Sequence, residues 1–284
     1  MEATEEMVRE RSDVVFTRAG VALLREAHRR QRIGAHSGQG MWREPIRYET
    51  RSFSERATRY TALLEEAYRL RARVFMGELG WLAPSADGRE RDRCDPLARH
   101  FVVYTRPPEV SGVMSAEPEP AALVGYARVL LPRHGFMLQR EFAELALEDA
   151  EGRFTLDERR AFEVSRFVVR PAHRGRRCVE GRTVVEHLAR AIALWALEQG
   201  RTDWYTVCEE RYLRALRLRG LRFTQLGRAV EYQPGVRACA ALLRLPVASA
   251  EMRASHAPDY AWYTRPLRER RMLRVLRETP GGRA

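Results

Sequence analysis

Two short segments gather residues able to do chemistry. "LRARVFMGELGW" brings Arg71, Phe75 and Trp81 together, and "GRERDRCD" follows it with Glu90, Asp92 and Asp95. Acidic and basic side chains this close have two readings. They can be a solvated loop whose charges pair loosely. They can also bind a zwitterion, with carboxylates for its cation and guanidinium groups for its carboxylate. A third segment, "AFEVSRFVV", puts Glu163, Ser165 and Arg166 inside an apolar run, where an ion is costly unless paired. Strand alternation sets Glu163 and Ser165 on one face and Arg166 on the other, unless a bulge re-aims one of them. Arg128 repeats the oddity within "GYARVLL". Phe75 and Trp81 are ordinary core residues by type, but beside a polar loop they can stack on a purine or pack a sulfonium methyl group. In "RPAHRGRRCVEGRT", Arg174 and Gly175 precede the strongest helical pattern in the chain. A loop of that kind can hold phosphates with backbone N–H groups and the helix dipole.

These residues need elements to position them. Helical spacing is expected over residues 17–32, 62–75 and 183–200, the last closed by Gly200, and over shorter stretches at 140–147 and 211–220. Strands are expected at 46–53, 100–105, 122–131, 161–171, 204–208, 223–227 and 239–245, with a mobile turn at 107–120. The tail from Pro246 reads as polar, with a helix at 265–277. The order of elements predicts an α+β fold, a mixed sheet flanked by helices. The expected organisation is an N-terminal extension (1–45), a catalytic domain (46–247) and an Arg-rich tail (248–284).

Composition narrows the classes. The chain has 284 residues, 45% hydrophobic and 31% charged, which is a globular balance. No run approaches the roughly 18 apolar residues of a membrane span. Glu2, Glu5 and Glu6 stand where a leader would be apolar, and four dispersed cysteines form no disulfide framework or metal-ligand cluster. A cytoplasmic setting without metal is expected. The formal charge of +12 would attract acidic partners. All 50 basic residues are Arg, however, and Lys and Asn are absent, which points to GC-rich coding rather than selection for nucleic acid. No helix-turn-helix, zinc finger or RNA-binding signature accompanies the charge.

In combination these motifs resemble the acyl-homoserine-lactone synthases, the autoinducer synthases of quorum sensing, over about residues 46–268. "LRARVFMGELGW" is similar to the family's first motif, "GRERDRCD" to its acidic motif, "VGYARVL" to the segment carrying its next arginine, and "FEVSRFVV" to its Glu-x-Ser-Arg motif. The resemblance implies a GNAT-like acyltransferase fold and no prosthetic group. It implies an N-acyltransferase that uses S-adenosylmethionine as substrate and an acyl thioester of acyl carrier protein or CoA as donor. It also implies that Arg71, Arg128 and Arg166 pair with Asp92, Asp95 and Glu163, and that Glu163 takes the amine proton. Phe75, Trp81 and Ser165 would lie on the substrate side and Arg174 and Gly175 at the phosphate loop. Thr206 falls where the family carries a residue tied to 3-oxo acyl chains. An N-acyl amino-acid synthase of the same fold, with a linear product, is the nearest alternative.

Overall fold

The computed structural model describes residues 46–106, 122–146, 156–218, 221–233, 235–255 and 257–269. The helix expected at 17–32 and the turn at 107–120 lie outside them. The described chain forms two compact units, one of residues 46–128 and 166–191, the other of residues 129–165 and 192–269.

In the first unit, β1 (Arg47–Ser54) leads into helix α1 (Thr61–Ala72). Leu64, Ala67 and Leu70 recur at helical spacing and face inward. The helix does not stop at Ala72. It continues as a π-helical turn, Arg73–Glu78, a rare and wider winding that is frequent at functional sites. Strand β2 (Arg99–Arg106) pairs antiparallel with β1, from Arg47↔Arg106 to Ser54↔Arg99. β3 (Leu123–Leu130) is next to β2 and is buried at every position, which explains an apolar run interrupted by a charge only at Arg128. Gly125 on β3 meets the start of a later helix: a Cβ there would collide with Val184 Cγ1, so glycine permits this close approach.

In the second unit, β3 gives way to a one-turn helix, α2 (Met137–Arg140), and a 3-10 turn, Ala143–Leu145. A continuous helix was expected at 140–147. Instead the helix ends at Arg140, and both pieces bury their apolar residues separately. Strand β4 (Ala161–Val169) begins in this unit and ends in the first. Helix α3 (Val184–Glu198) begins in the first unit and ends in this one, and Gly200 just beyond it has φ +69°, the left-handed C′ geometry expected. β5 (Asp203–Glu209) lies parallel to β4 over Ala161↔Asp203 to Val164↔Thr206 and antiparallel to β8 (Val236–Arg244). Helix α4 (Glu210–Leu218) follows β5 directly. Strands β6 (Thr224–Gln225) and β7 (Val230–Gln233) both pair with β8. The strand expected at 223–227 shrinks to two residues, and β7 was not anticipated. The sheet is therefore mixed, as the sequence predicts. The tail read as polar begins instead with helix α5 (Leu245–Ser255), followed by α6 (Ala257–Glu269). The helical pattern placed at 265–277 thus begins earlier, and its later part lies outside the described residues.

Candidate functional site

The first unit holds a closed network of three arginines and three carboxylates. Arg71, in the last turn of α1, donates from Nε to Glu90 and from Nη1 and Nη2 to the two oxygens of Asp95, at 2.6 and 3.0 Å. Arg128, on β3, grips Asp92 the same way at 2.5 and 2.8 Å, and its Nη1 also reaches Asp95 Oδ1 at 2.8 Å. Arg166 donates from Nε to both oxygens of Glu90 at 3.1 and 3.2 Å, and its Nη2 lies 2.7 Å from Asp92 Oδ2. Each planar fork meets a planar carboxylate, a match that a lysine ammonium cannot make.

The loop between Glu90 and Asp95 is shaped by its own carboxylates. Asp92 N–H donates to Asp95 Oδ2 and Cys94 N–H to Asp92 Oδ1, both at 2.8 Å. Glu90 N–H donates to Tyr68 O on α1, which docks the loop on the helix. Arg166 has φ 53°, the one positive value outside glycine among the described residues. This left-handed residue interrupts the regular β4 backbone at the position where the guanidinium joins the network.

Five of the six side chains are buried, Arg71 and Arg128 fully, and Asp92 is 10% exposed. Burial by itself would push Glu90, Asp92 and Asp95 upward. Neighbouring guanidinium groups outweigh it and hold all three below the usual carboxylate range: Arg166 and Arg71 act on Glu90, Arg166 and Arg128 on Asp92, Arg71 and Arg128 on Asp95. Burial would likewise lower Arg71 and Arg128, and their carboxylate partners raise both. The network is a fixed, charge-balanced frame at any working pH. A second layer was not foreseen. Tyr126 hydroxyl lies 3.4 Å from Arg71 Nη1 and 2.8 Å from His100 Nδ1. Burial, with Arg71 and Arg128 against it, lowers His100 to about 4 despite Asp95, so the imidazole is neutral. The sequence signals were a His opening an apolar strand and a Tyr two positions before Arg128.

The aromatic pair sits on this frame. Phe75 and Trp81 are buried, their rings parallel within 11° and 6.4 Å apart. Trp81 N–H bonds back to Phe75 O at 2.8 Å, and Gly80 makes the turn at φ +63°. The guanidinium of Arg166 lies 5.9 Å from the Phe75 ring centre.

Three expectations change. The third carboxylate of the frame is Glu90, where Glu163 was expected. Glu163, in the second unit, is buried and accepts from Met137 N–H and Leu138 N–H, each at 2.8 Å, and so pins the first turn of α2. It stands in register with Tyr205, whose ring is 6.1 Å from that of Phe136. Thr206, one residue on, projects from the opposite face, and its hydroxyl donates to Val164 O at 3.0 Å. That hydrogen is no longer available for a chain carbonyl. Arg174, expected on phosphate, donates to both oxygens of Glu78 and from Nε to Val169 O at 3.1 Å. The start of α3 is closed by its own side chains: Thr183 N–H and Oγ1 donate to Glu186 Oε2 at 2.8 and 2.7 Å. Gly175 does hold a left-handed turn at φ +71°, and Ser165, beside Arg166, is half-buried. Among the described residues no cluster of His, Cys, Asp and Glu is arranged for a metal, and no helix is long and apolar enough to cross a membrane.

A family profile described as acetyltransferase (GNAT) domain matches residues 70–183, the span from the end of α1 to the start of α3. An acyl-homoserine-lactone synthase of Rhizobium radiobacter is 29% identical over 170 residues, 59% of this chain and 72% of that protein. Among solved structures, the CoA-dependent acyl-homoserine lactone synthase BjaI, with S-adenosylmethionine (SAM) and isopentyl-CoA, superposes with a TM-score of 0.56 at 20% identity, covering 73% of this chain and 89% of BjaI. The synthase LasI gives 0.54 at 22% identity, covering 70% and 91%. These structural likenesses establish the fold. The chain has the GNAT acetyltransferase fold, and its sequence is similar to that of an acyl-homoserine-lactone synthase.

Proposed function

We propose that the protein makes an N-acyl-homoserine lactone from S-adenosylmethionine and an acyl thioester. The observation that carries the reading is the charge-neutral frame of Arg71, Arg128, Arg166, Glu90, Asp92 and Asp95 beneath the Phe75–Trp81 stack. Ions withdrawn this far from water stabilise a fold no better than apolar side chains of the same volume would. Their use here supports a rigid polar platform for a charged acceptor beside an aromatic pair. In the reaction, the acceptor's amine nitrogen bonds to the thioester carbonyl carbon, the C–S bond breaks, and the donor leaves as a thiol. The acceptor's carboxylate oxygen then bonds to the carbon bearing the sulfonium. That C–S bond breaks with its electron pair on sulfur, releasing methylthioadenosine and closing the lactone.

The amine attacks only after losing a proton. Glu163 is the candidate acceptor, directly or through water. The donor carries a phosphopantetheine thioester, on acyl carrier protein or on CoA. The Arg-rich surface suits the acidic carrier. S-adenosylmethionine is consumed as a substrate, and no prosthetic group takes part.

The test is turnover by purified protein with S-adenosylmethionine and matched acyl-carrier-protein and acyl-CoA donors, read by mass spectrometry. The lactone and methylthioadenosine should appear in equal amounts. A linear N-acyl amino acid with no methylthioadenosine would replace this reading with the alternative one.

A further inference from the structure

The ion pair between Glu78 and Arg174 has no place in the frame, yet it ties two functional segments together. Glu78 is the last residue of the π-helical turn that carries Phe75 and leads to Trp81. Arg174 follows the 3-10 turn Pro171–His173 and precedes Gly175. The Arg174 fork takes both Glu78 oxygens, while its Nε holds Val169 O at the end of β4. The Arg174 side chain is only 8% exposed, whereas Glu78 is 32% exposed and opens to solvent.

The surroundings are cationic. Burial and then the charges of Arg176 and Arg170 lower His173 to about 4. Arg170 also acts on Arg73, and Glu66 is the carboxylate bonded to Arg170, at 2.9 Å. In this field Glu78 occupies a guanidinium face that a phosphate would seek, since carboxylate and phosphate match the same fork.

We propose that Glu78 is a displaceable stand-in for the donor's phosphate. A phosphate group on the donor competes with the Glu78 carboxylate for Arg174, and its arrival unties the segment that carries Phe75 and Trp81. Rested on the acyl-donor reading above, this makes donor binding a signal to the acceptor side. The backbone bonds that report the tie are Leu79 N–H to Val74 O and Trp81 and Leu82 N–H to Phe75 O.

The test uses 4′-phosphopantetheine as probe, with wild type, Glu78→Gln and Arg174→Ala. Titration calorimetry gives affinity, and hydrogen exchange over residues 79–82 gives the state of the tie. Glu78→Gln should bind the probe about two- to five-fold tighter, the range an exposed ion pair supports. It should also exchange faster at 79–82 without any probe. Wild type should reach that faster exchange only when the probe is bound, and Arg174→Ala should bind weakly and exchange fast throughout. Equal affinity and equal exchange in wild type and Glu78→Gln would overturn the proposal while leaving lactone synthesis intact. A probe that binds none of the three proteins, with no lactone formed from any donor, would sink the functional reading and the proposal together.

Discussion

Glu163 has two jobs that one substitution confounds. Glu163→Gln removes a proton acceptor, and it also sets an amide NH2 against one of the N–H groups of Met137 and Leu138. We expect turnover to fall on the order of 10²–10⁴-fold. The pH profile separates the roles: loss of the base abolishes the acidic limb of kcat, whereas loss of the α2 anchor lowers kcat uniformly. Near wild-type turnover in a folded Glu163→Gln protein removes it from the mechanism. Asp95→Asn should raise KM for S-adenosylmethionine more than KM for the acyl donor, because Asp95 holds both Arg71 and Arg128. The opposite split would place the acceptor elsewhere. Thr206→Val tests the acyl side. Its hydroxyl donates to Val164 O, so the expected effect is a stability loss of about 1 kcal/mol with an unchanged ratio of 3-oxo to unsubstituted products. A changed ratio would return Thr206 to the chain pocket. Residue types and spacing thus made Arg71, Arg128, Arg166, Asp92 and Asp95 legible in the sequence, because ions inside apolar runs demand partners. Their pairing was less so: Glu90 meets Arg166 across 76 residues of sequence, while Glu163 turns to the N–H groups of α2, and no periodicity reveals either contact.

At the level of elements, strands and the long helix follow their patterns closely, since burial on one or both faces writes itself into the sequence. The misses have physical causes. α2 is a single turn whose first N–H groups are satisfied by Glu163, far away in sequence. β7 depends on pairing with β8 rather than on its own alternation. α5 buries Leu245, Ala248 and Met252 beneath a composition that reads as polar tail. The contact of α3 on β3 gives a sharp test. Gly125→Ala drives a methyl group into Val184 and Leu188, so we expect about 1–3 kcal/mol lower stability by denaturant unfolding. Adding Val184→Ala should recover part of it, and no recovery would mean the strain is relieved elsewhere.

For the molecule as a whole, acid should be the weak side. His100 falls from an ordinary 6.5 to about 4 on folding, so between those values the unfolded chain binds the extra proton. Stability is then fully present above pH 6.5 and declines toward pH 4, by roughly 3 kcal/mol at the limit for this buried group. The depressed carboxylates of the frame add to the loss below about pH 4, as they must be protonated to unfold the network. His100→Gln should flatten the 4–6.5 region in chemical denaturation, and an unchanged slope would assign the acid sensitivity to other groups. The +12 charge predicts only weak, salt-sensitive nucleic-acid binding, because it is spread through an all-Arg composition. Tight, sequence-selective binding by an inactive protein would overturn the enzyme reading.

The frame also governs how this sequence can drift. Its three cations and three anions cancel, and each carboxylate serves two guanidinium groups. Altering any one member strands a buried charge, at about 3–5 kcal/mol. Repair has to come from a second change inside the same set, not from the exposed arginines around it. Random substitution should therefore find the six positions closed to single steps and open only to compensated pairs. Exposed arginines such as Arg214 and Arg237 should vary freely.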